Sequence, residues 1–503
     1  MTSIIDAMRD ENLFAPLFRG PSWKPWIACL KSIFGIEMDD QEADLFRRCT
    51  GRQELPRQPF REAFLIIGRR GGKSRAASLI GTFLAAFRDY SFLAPGEKGV
   101  VMVLSVDKKQ SRVVHRYVSG IFDSIPILKE LIERRTGDVI DLKTKVSIEV
   151  LPASFRGLRG YSVPCAIADE VAYWRNEESA NPDVEILNAL RPAMANIPGS
   201  LLICISSPYA RRGVLWTAYK KFYGQENDRT LVWVADSKTM NPTLDDSIIQ
   251  EAYEADEAVA SAEYGAQFRK DIESFVDRDT VDICVILDRK ELPYLSSHKY
   301  GAFCDPSGGS QDSMTLAIGH REKDGRVVLD AIRERRPPFS PEDVITEFVA
   351  TLKSYQIHSV RGDRFGGEWP RERFRVHGID YQLAEKSKSE YYQAFLPIIN
   401  SKNIDLLDHP RLLTQICNLE RRTGRGGKDS IDHGPGSHDD LANSAAGIAV
   451  ELMQSGLVPN LVSFYKQRFE QAMKEKVKEV PQCQINVKAE PEPNPQSGHR
   501  FLK

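Results

Sequence analysis

Apolar positions in this chain gather into short β-branched runs separated by longer stretches of helical spacing. Ala63-Phe64-Leu65-Ile66-Ile67 is a continuous run of strand length, and Ser74 to Tyr90 follows with helical period. Val100 to Leu104 is a second such run, with a helix expected near Lys108 to Phe122. Val146 to Leu151, Val163 to Ala168 and Leu201 to Ile205 continue the series. Runs apolar at every position are strands covered on both faces, and their alternation with helices predicts an α/β unit with a parallel-rich sheet. Asp246 to Phe268, rich in Ala and Glu, reads as one long helix closing this unit.

Residues 270–297 lose that regularity and read as a polar, mixed connector. Three runs follow, Tyr300–Cys304, Met314–Gly319 and Arg326–Ala331. The turn pairs Gly308-Gly309 and Asp324-Gly325 between them predict an antiparallel meander. A helix over Pro341–Tyr355, a strand over Ile357–Gly362, further helices and a last helix over Asp439–Gln454 complete an α+β unit. The expected plan is an α/β domain over 1–269, a connector over 270–297, a second domain over 298–456 and a tail over 457–503. Past Val480 the tail holds Pro481, Pro491, Pro493 and Pro495 among Gln, Asn and Glu, a composition expected to be disordered.

Composition narrows the class. With 42% hydrophobic and 27% charged residues in 503, the chain has the make-up of a soluble globular protein. A balance of 68 Lys+Arg against 70 Asp+Glu excludes a uniformly basic nucleic-acid coat, though not local basic stripes. No apolar run approaches membrane-span length, and MTSIIDAMRDENLF lacks the apolar core of a secretion signal. Eight cysteines lie far apart with no CxxC pair, which suits buried, reduced thiols in a cytoplasmic protein better than zinc or disulfides.

The strongest local motif is Gly68-Arg69-Arg70-Gly71-Gly72-Lys73-Ser74, between an expected strand and an expected helix. Glycines let backbone N–H groups turn onto a polyphosphate, and the helix N-terminus adds a favourable dipole. Lys73 would reach the β/γ-phosphates of ATP and the Ser74 hydroxyl would ligate Mg²⁺. The spacing is one residue short of the usual pattern, with Ile67 in the slot of the first glycine. The strand Val163–Ala168 then ends in Asp169-Glu170. Asp169 would hold Mg²⁺ through water, and Glu170 would orient or deprotonate the attacking water. Ser206 and Ser207, ending the next strand, are candidates for coupling hydrolysis to movement.

Three acidic clusters mark the second unit: Asp305 at the end of its first strand, Asp363 at the end of a later one, and Asp439-Asp440 at the start of the last helix. Converging, they would hold two Mg²⁺ or Mn²⁺ ions that activate water and stabilise a leaving oxygen of a phosphodiester. Either Asp439 or Asp440 serves this reading. Asp312, Asp432, His433 and His438 rank below them. The stretch 420–428 is Gly-rich and cationic, and Arg421, Arg422, Arg425 and Lys428 are candidates to clamp a DNA backbone. Residues 298–455 hold 21 basic and 23 acidic residues, so four metal-ligating acids would conceal a net cationic surround.

Taken in order, these motifs resemble the large terminase subunit of tailed double-stranded DNA bacteriophages. Asp305-Pro306-Ser307-Gly308-Gly309, Gly362-Asp363-Arg364-Phe365-Gly366-Gly367 and His438-Asp439-Asp440-Leu441-Ala442-Asn443 carry the resemblance most closely, over roughly 20–455. It implies a P-loop ATPase motor that drives double-stranded DNA into a procapsid, and a C-terminal RNase H-like endonuclease that cuts the concatemer. It also implies a portal protein and a small terminase subunit as partners, and a homo-oligomeric ring during packaging. The expected location is the host cytoplasm, transiently at the procapsid portal. By the same resemblance Arg69 contacts the γ-phosphate in cis, and Arg159 is a weaker candidate for a finger on a neighbouring subunit. Pro21-Ser22-Trp23-Lys24-Pro25-Trp26 stands where the family places adenine contacts, without a glutamine motif. A helicase–nuclease or restriction-type motor would need a second motor domain, whose motifs are missing between 210 and 300. A decayed DNA-binding scaffold is opposed by the intact Lys73, Ser74, Asp169 and Glu170.

Overall fold

The Ala63–Ile67 run folds as β1 (Glu62–Ile67) because two apolar layers await its alternating side chains. Ala63, Leu65 and Ile67 enter one core, Phe64 and Ile66 the other. The computed structural model describes residues 2–105, 108–153, 158, 160–174, 182–364, 369–423 and 429–455, with backbone alone at 108–111 and 455. The tail over 457–503 therefore lies outside the described residues.

Seven more strands join β1: β2 (Gly99–Ser105), β3 (Ile132–Arg135), β4 (Val139–Leu142), β5 (Val146–Pro152), β6 (Ser162–Asp169), β7 (Leu201–Ser206) and β8 (Thr230–Ala235). Their order is β3-β4-β5-β2-β6-β7-β1-β8, parallel from β5 to β8, with β3 and β4 antiparallel at one edge. One face packs against the helices Lys24–Phe34 and Lys73–Phe87, the other against Pro182–Ala195 and Gly213–Phe222. This bears out the α/β reading. Ile66, Ile203 and Ile205 are fully buried, each contributing roughly 1.5–3 kcal/mol. The order has one consequence for chemistry: β7 lies between β1 and β6, so its end stands between the Gly68–Ser74 loop and Asp169-Glu170.

A second sheet is built from β10 (Val285–Ile286), β11 (Tyr300–Asp305), β12 (Met314–Arg321), β13 (Val327–Arg335), β14 (Ser359–Gly362), β15 (Asp380–Leu383) and β16 (Ile404–Leu407). Its order is β10-β16-β13-β12-β11-β14-β15. β11, β12 and β13 pair antiparallel as the turn signals required, and β14 and β15 run parallel to β11. The helix Asp440–Ser455 crosses β11 through small residues. A Cβ on Gly447 would lie 2.5 Å from the Phe303 ring, so only glycine permits this approach. A third, antiparallel sheet joins β9 (Ile272–Ser274), β17 (Leu419–Thr423) and β18 (Asp429–His433).

Two expectations change. The long helix over 246–268 is two helices, Asp246–Ala255 and Glu257–Glu263. Asp256 breaks it: its backbone is extended (φ −154°, ψ 103°) and its carboxylate accepts from the N–H groups of Ala258 and Val259. This N-cap competes with helix continuation at a residue of low helix propensity. The stretch 270–297 is more than polar connection, since β9 pairs with β17 and β10 with β16. The seven described cysteines are free, six of them buried. Among the described residues no helix is long and apolar enough to cross a membrane.

Candidate functional site

The loop after β1 is held by segments distant in sequence. Arg70 (φ 65°) and Gly72 (φ 94°) adopt left-handed backbone, and the Trp26 indole donates to the Gly71 carbonyl at 2.9 Å. A Cβ on Gly68 would fall 2.3 Å from Ser237 Oγ and 2.5 Å from the Tyr264 carbonyl, so the loop touches backbone that lies far away in sequence. Lys73, first residue of its helix, is buried. Its ammonium donates to the carbonyls of Ile67 (2.9 Å) and Gly68 (3.3 Å) and to Ser207 Oγ (3.1 Å), and lies 3.9 Å from Glu170 Oε1. Burial lowers its pKa, while Glu170 and Asp169 work against that. Ser74 follows, partly exposed at the same helix start.

Asp169 ends β6 with Oδ1 buried and unpartnered. Burial and the neighbouring Glu170 push its carboxyl up to about 7, with Lys73 opposing. A buried carboxylate oxygen without a hydrogen-bond partner is a place for a cation. Glu170 has a positive φ of 49°, a conformation that costs a side-chain-bearing residue roughly 1–2 kcal/mol. Its Oε2 accepts from Ser206 Oγ (3.0 Å) and from the Ser207 N–H (3.4 Å). The Ser206–Ser207 pair thus touches both Glu170 and Lys73, which the strand order makes possible.

Arg69 projects outward and pairs with Glu263 at 3.4 Å, and Glu263 also accepts from the Tyr173 hydroxyl. Ser237 Oγ donates to the Arg69 carbonyl at 2.6 Å and the Asn241 amide to that of Arg70 at 3.1 Å. Glu263, Ser237 and Asn241 gave no signal in sequence, being more than 160 residues from the loop they hold. Trp26 packs beneath Gly71–Gly72, and Arg159 lies outside the described residues.

The acids of the second sheet converge. β11 and β14 are parallel neighbours, so Asp305 and Asp363 leave adjacent strand ends, and the Asp363 N–H donates to the Cys304 carbonyl at 3.3 Å. Asn443 bridges them, its amide donating to Asp305 Oδ2 (2.9 Å) and Asp363 Oδ2 (2.7 Å). Asn443 and Asp440 stand three apart on one helix face. Thr315 Oγ1 fixes that face by donating to the Asp440 carbonyl at 2.7 Å, and the Ser313 N–H donates to Asp440 Oδ2 at 3.2 Å. Gln415 Oε1 accepts from the N–H groups of Leu441 and Ala442, capping the helix. Burial and like charge raise the pKa of Asp305 well above the carboxylate range. Burial raises Asp363, against the Asn443 amide and Lys388, and takes Asp440 up to about 6 with help from Asp439. Carboxylates held together against their own repulsion suit divalent cations.

Asp439 and Asp440 differ in their partners. Asp439 Oδ2 accepts from the Tyr392 hydroxyl (2.8 Å) and pairs with Lys388 (3.0 Å), which also holds Asp432 (2.8 Å). Among the described residues, the Ser313 N–H makes the one hydrogen bond to the Asp440 carboxylate. His438 faces Asp312 at 3.6 Å, and His433 turns to the Gly434 carbonyl at 3.0 Å.

Asp305 and Asp363 open on a cleft of about 540 Å³, lined also by Arg364, Lys386 and Lys388. Arg421 and Arg422 lie on β17, paired with Asp429 and with Glu420 (3.1 Å) respectively, while Arg425 and Lys428 lie outside the described residues. Glu420 is fully buried and also accepts from the Tyr209 hydroxyl at 2.9 Å and pairs with Arg212. This carboxylate joins the segment that follows Ser206–Ser207 to the hairpin bearing Arg421 and Arg422. Glu420, like Glu263, Ser237 and Asn241, is not singled out by sequence reasoning, and Trp26 and Asn443 stand in quoted motifs without the roles they have here. The i+3 spacing of Asn443 from Asp440 is a signal that could have found it.

No protein-family model and no curated protein matches the chain. Among solved structures it is similar to the HK97 bacteriophage large terminase, at 15% identity and TM-score 0.36, over 78% of this chain and 91% of that one. It is similar also to the large terminase of the thermophilic bacteriophage D6E, at 12% identity and TM-score 0.35, over 78% and 94% of the two chains. A third likeness is to the large terminase nuclease of the thermophilic phage G20c, at 18% identity and TM-score 0.30, over 34% and 94%.

Proposed function

We propose that this chain is the large terminase subunit of a tailed bacteriophage, an ATP-driven motor for double-stranded DNA with a P-loop and an RNase H-like, metal-dependent endonuclease. The observation that carries the proposal is the coexistence of two acid centres at strand ends of two sheets. In one, Lys73, Glu170 and Ser207 meet; in the other, Asn443 bridges Asp305 and Asp363, and the charge of Asp440 on the same helix acts on Asp305. The order β13-β12-β11-β14-β15, an antiparallel meander extended by two parallel strands, supports the RNase H-like reading.

In the motor, the Lys73 ammonium donates to its own loop's carbonyls, and a phosphate would replace those neutral acceptors with anionic ones. Glu170 is the water-orienting base. Its bonds to Ser206 and Ser207 place it where a change at Lys73 is felt directly, which is the coupling role proposed for that pair. Arg69 would leave Glu263 to reach the γ-phosphate. Ser74 and Asp169 would hold Mg²⁺, which when bound offsets phosphate charge. In the nuclease, Asp305, Asp363 and Asp440 would hold Mg²⁺ or Mn²⁺, which when bound activate water and stabilise the leaving oxygen. Asn443 ties the two strand-end carboxylates together, and Lys388 pairs with Asp439. Arg364 and Lys386 line the cleft where a DNA backbone would run, and Arg421 and Arg422 would exchange their acidic partners for phosphates. A portal protein, a small terminase subunit and a homo-oligomeric ring in the host cytoplasm belong to the same reading.

Crossed assays test it. Lys73→Ala is expected to abolish ATP turnover and spare Mn²⁺-dependent plasmid nicking, and Asp363→Ala to do the reverse. Retained turnover in the first, or undiminished nicking in the second, removes that half of the proposal.

A further inference from the structure

At the end of β11 and β12 remote from Asp305 lies a group of side chains that neither proposed activity uses. His298, His320 and Glu322 offer ligand atoms that all lie within 4.8 Å of one another. Strand pairing places Tyr300 opposite His320 and Asp305 opposite Thr315. At the usual rise per residue the group is about 17 Å from the acid cluster.

His320 is 4% exposed, and its two ring nitrogens have different surroundings. Nδ1 bonds Asp330 Oδ2 at 2.7 Å, and Asp330 is itself 1% exposed. Nε2 is buried with no hydrogen bond and faces Glu322 Oε1 at 3.5 Å. The His298 ring sits with its centroid 4.2 Å from that of His320. The backbone arranges this deliberately. The pairing of β12 with β13 slips between Ile318 and Gly319, so Asp330 is the extra residue of a bulge, and bulges re-aim side chains. The Asp330 carbonyl accepts from the Leu292 N–H at 2.8 Å, which brings the segment bearing His298 alongside.

We infer that His298, His320 and Glu322 form a binding site for one divalent ion of the zinc class, with Asp330 orienting His320. A carboxylate on Nδ1 fixes the tautomer that leaves the Nε2 lone pair for a metal. Two imidazoles and one carboxylate suit Zn²⁺ or Co²⁺ rather than Mg²⁺. Metal–ligand distances of about 2.0–2.2 Å imply a tetrahedral edge of about 3.4 Å, close to the 3.5 Å between Nε2 and Oε1. The site opens on a cavity of about 200 Å³ whose two arginines, Arg289 and Arg326, are both engaged by Asp405, at 3.5 and 3.0 Å. An ion here ties the segment before β11 to β12 and stabilises the folded chain by mass action.

The test uses the full-length chain carrying Asp363→Asn, so that ions at the acid cluster do not dominate. Zn²⁺ bound at equilibrium dialysis is measured by elemental analysis, together with the shift in Tm on adding Zn²⁺ and the Co²⁺ absorption spectrum. Adding His298→Ala, or separately Glu322→Gln, is expected to remove one equivalent of Zn²⁺ per chain, most of the Tm shift and the histidine-ligated Co²⁺ bands. Asp330→Asn is expected to keep the site and weaken it about 10–100-fold. His298 and Glu322 are only partly buried, so these variants keep the fold even where His320→Ala does not. The same stoichiometry and the same Tm shift with and without His298→Ala would overturn the inference. His320 would then be an ion-paired core residue between Asp330 and Glu322.

Discussion

Replacing Asn443 by Ala removes one amide that bonds two carboxylates, at 2.9 and 2.7 Å, from a position with no exposed surface. A hydrogen bond to a charged group contributes about 1.5–3 kcal/mol. Asp305 and Asp363 open partly on the cleft, so the low end applies and the pair is worth about 3 kcal/mol in chelator once both carboxyls are ionised. To neutral carboxyls the same amide contributes about 0.5–1.5 kcal/mol per bond. The sign follows from linkage. Both folded-state pKa values are raised, so the native state binds more protons than the unfolded one, and stability falls as pH climbs from the unfolded toward the folded values. The amide lowers both pKa values and blunts that fall. Asn443→Ala should therefore lose more stability at about pH 9, on the alkaline side of the titration, than at about pH 5, by up to about 2 kcal/mol. Urea unfolding of both proteins at the two pH values measures this. A deficit independent of pH would mean that the amide fills space and does not compensate charge.

Other outcomes follow from the same contacts. Asp440, raised to about 6 by burial and Asp439 and faced also by His438 and Asp312, must lose its proton to bind metal. Mn²⁺ affinity should fall about tenfold per pH unit below 6, and calorimetric titration giving equal affinity at pH 5 and 7 would exclude Asp440 as a ligand. Glu420→Ala leaves Arg212, Arg422 and the Tyr209 hydroxyl without their shared acceptor and should cost about 3–5 kcal/mol in denaturant unfolding. A loss under 1 kcal/mol would mean that water replaces it. Gly68→Ala drives a Cβ onto Ser237 Oγ and the Tyr264 carbonyl and should weaken nucleotide binding at least tenfold. Wild-type affinity for a fluorescent ATP analogue would show that the loop yields.

What was legible in the sequence was local. Continuous apolar runs report strands covered on both faces, glycines and acids at strand ends report the residues those strands present, and both kinds of signal lie within a few residues. The helix broken at Asp256 escaped because Asp is tolerated inside a helix until its side chain finds backbone N–H groups to cap. Tertiary structure decided which strand ends meet. Inserting β7 between β1 and β6 sets Ser207 on Lys73 and Ser206 on Glu170, and pairing β11 with β14 sets Asp305 beside Asp363. Asn443, Glu420 and Trp26 act through partners 45 to 211 residues away. A one-dimensional pattern carries no term for such contacts, because burial and charge compensation exist only once distant segments have excluded water between them.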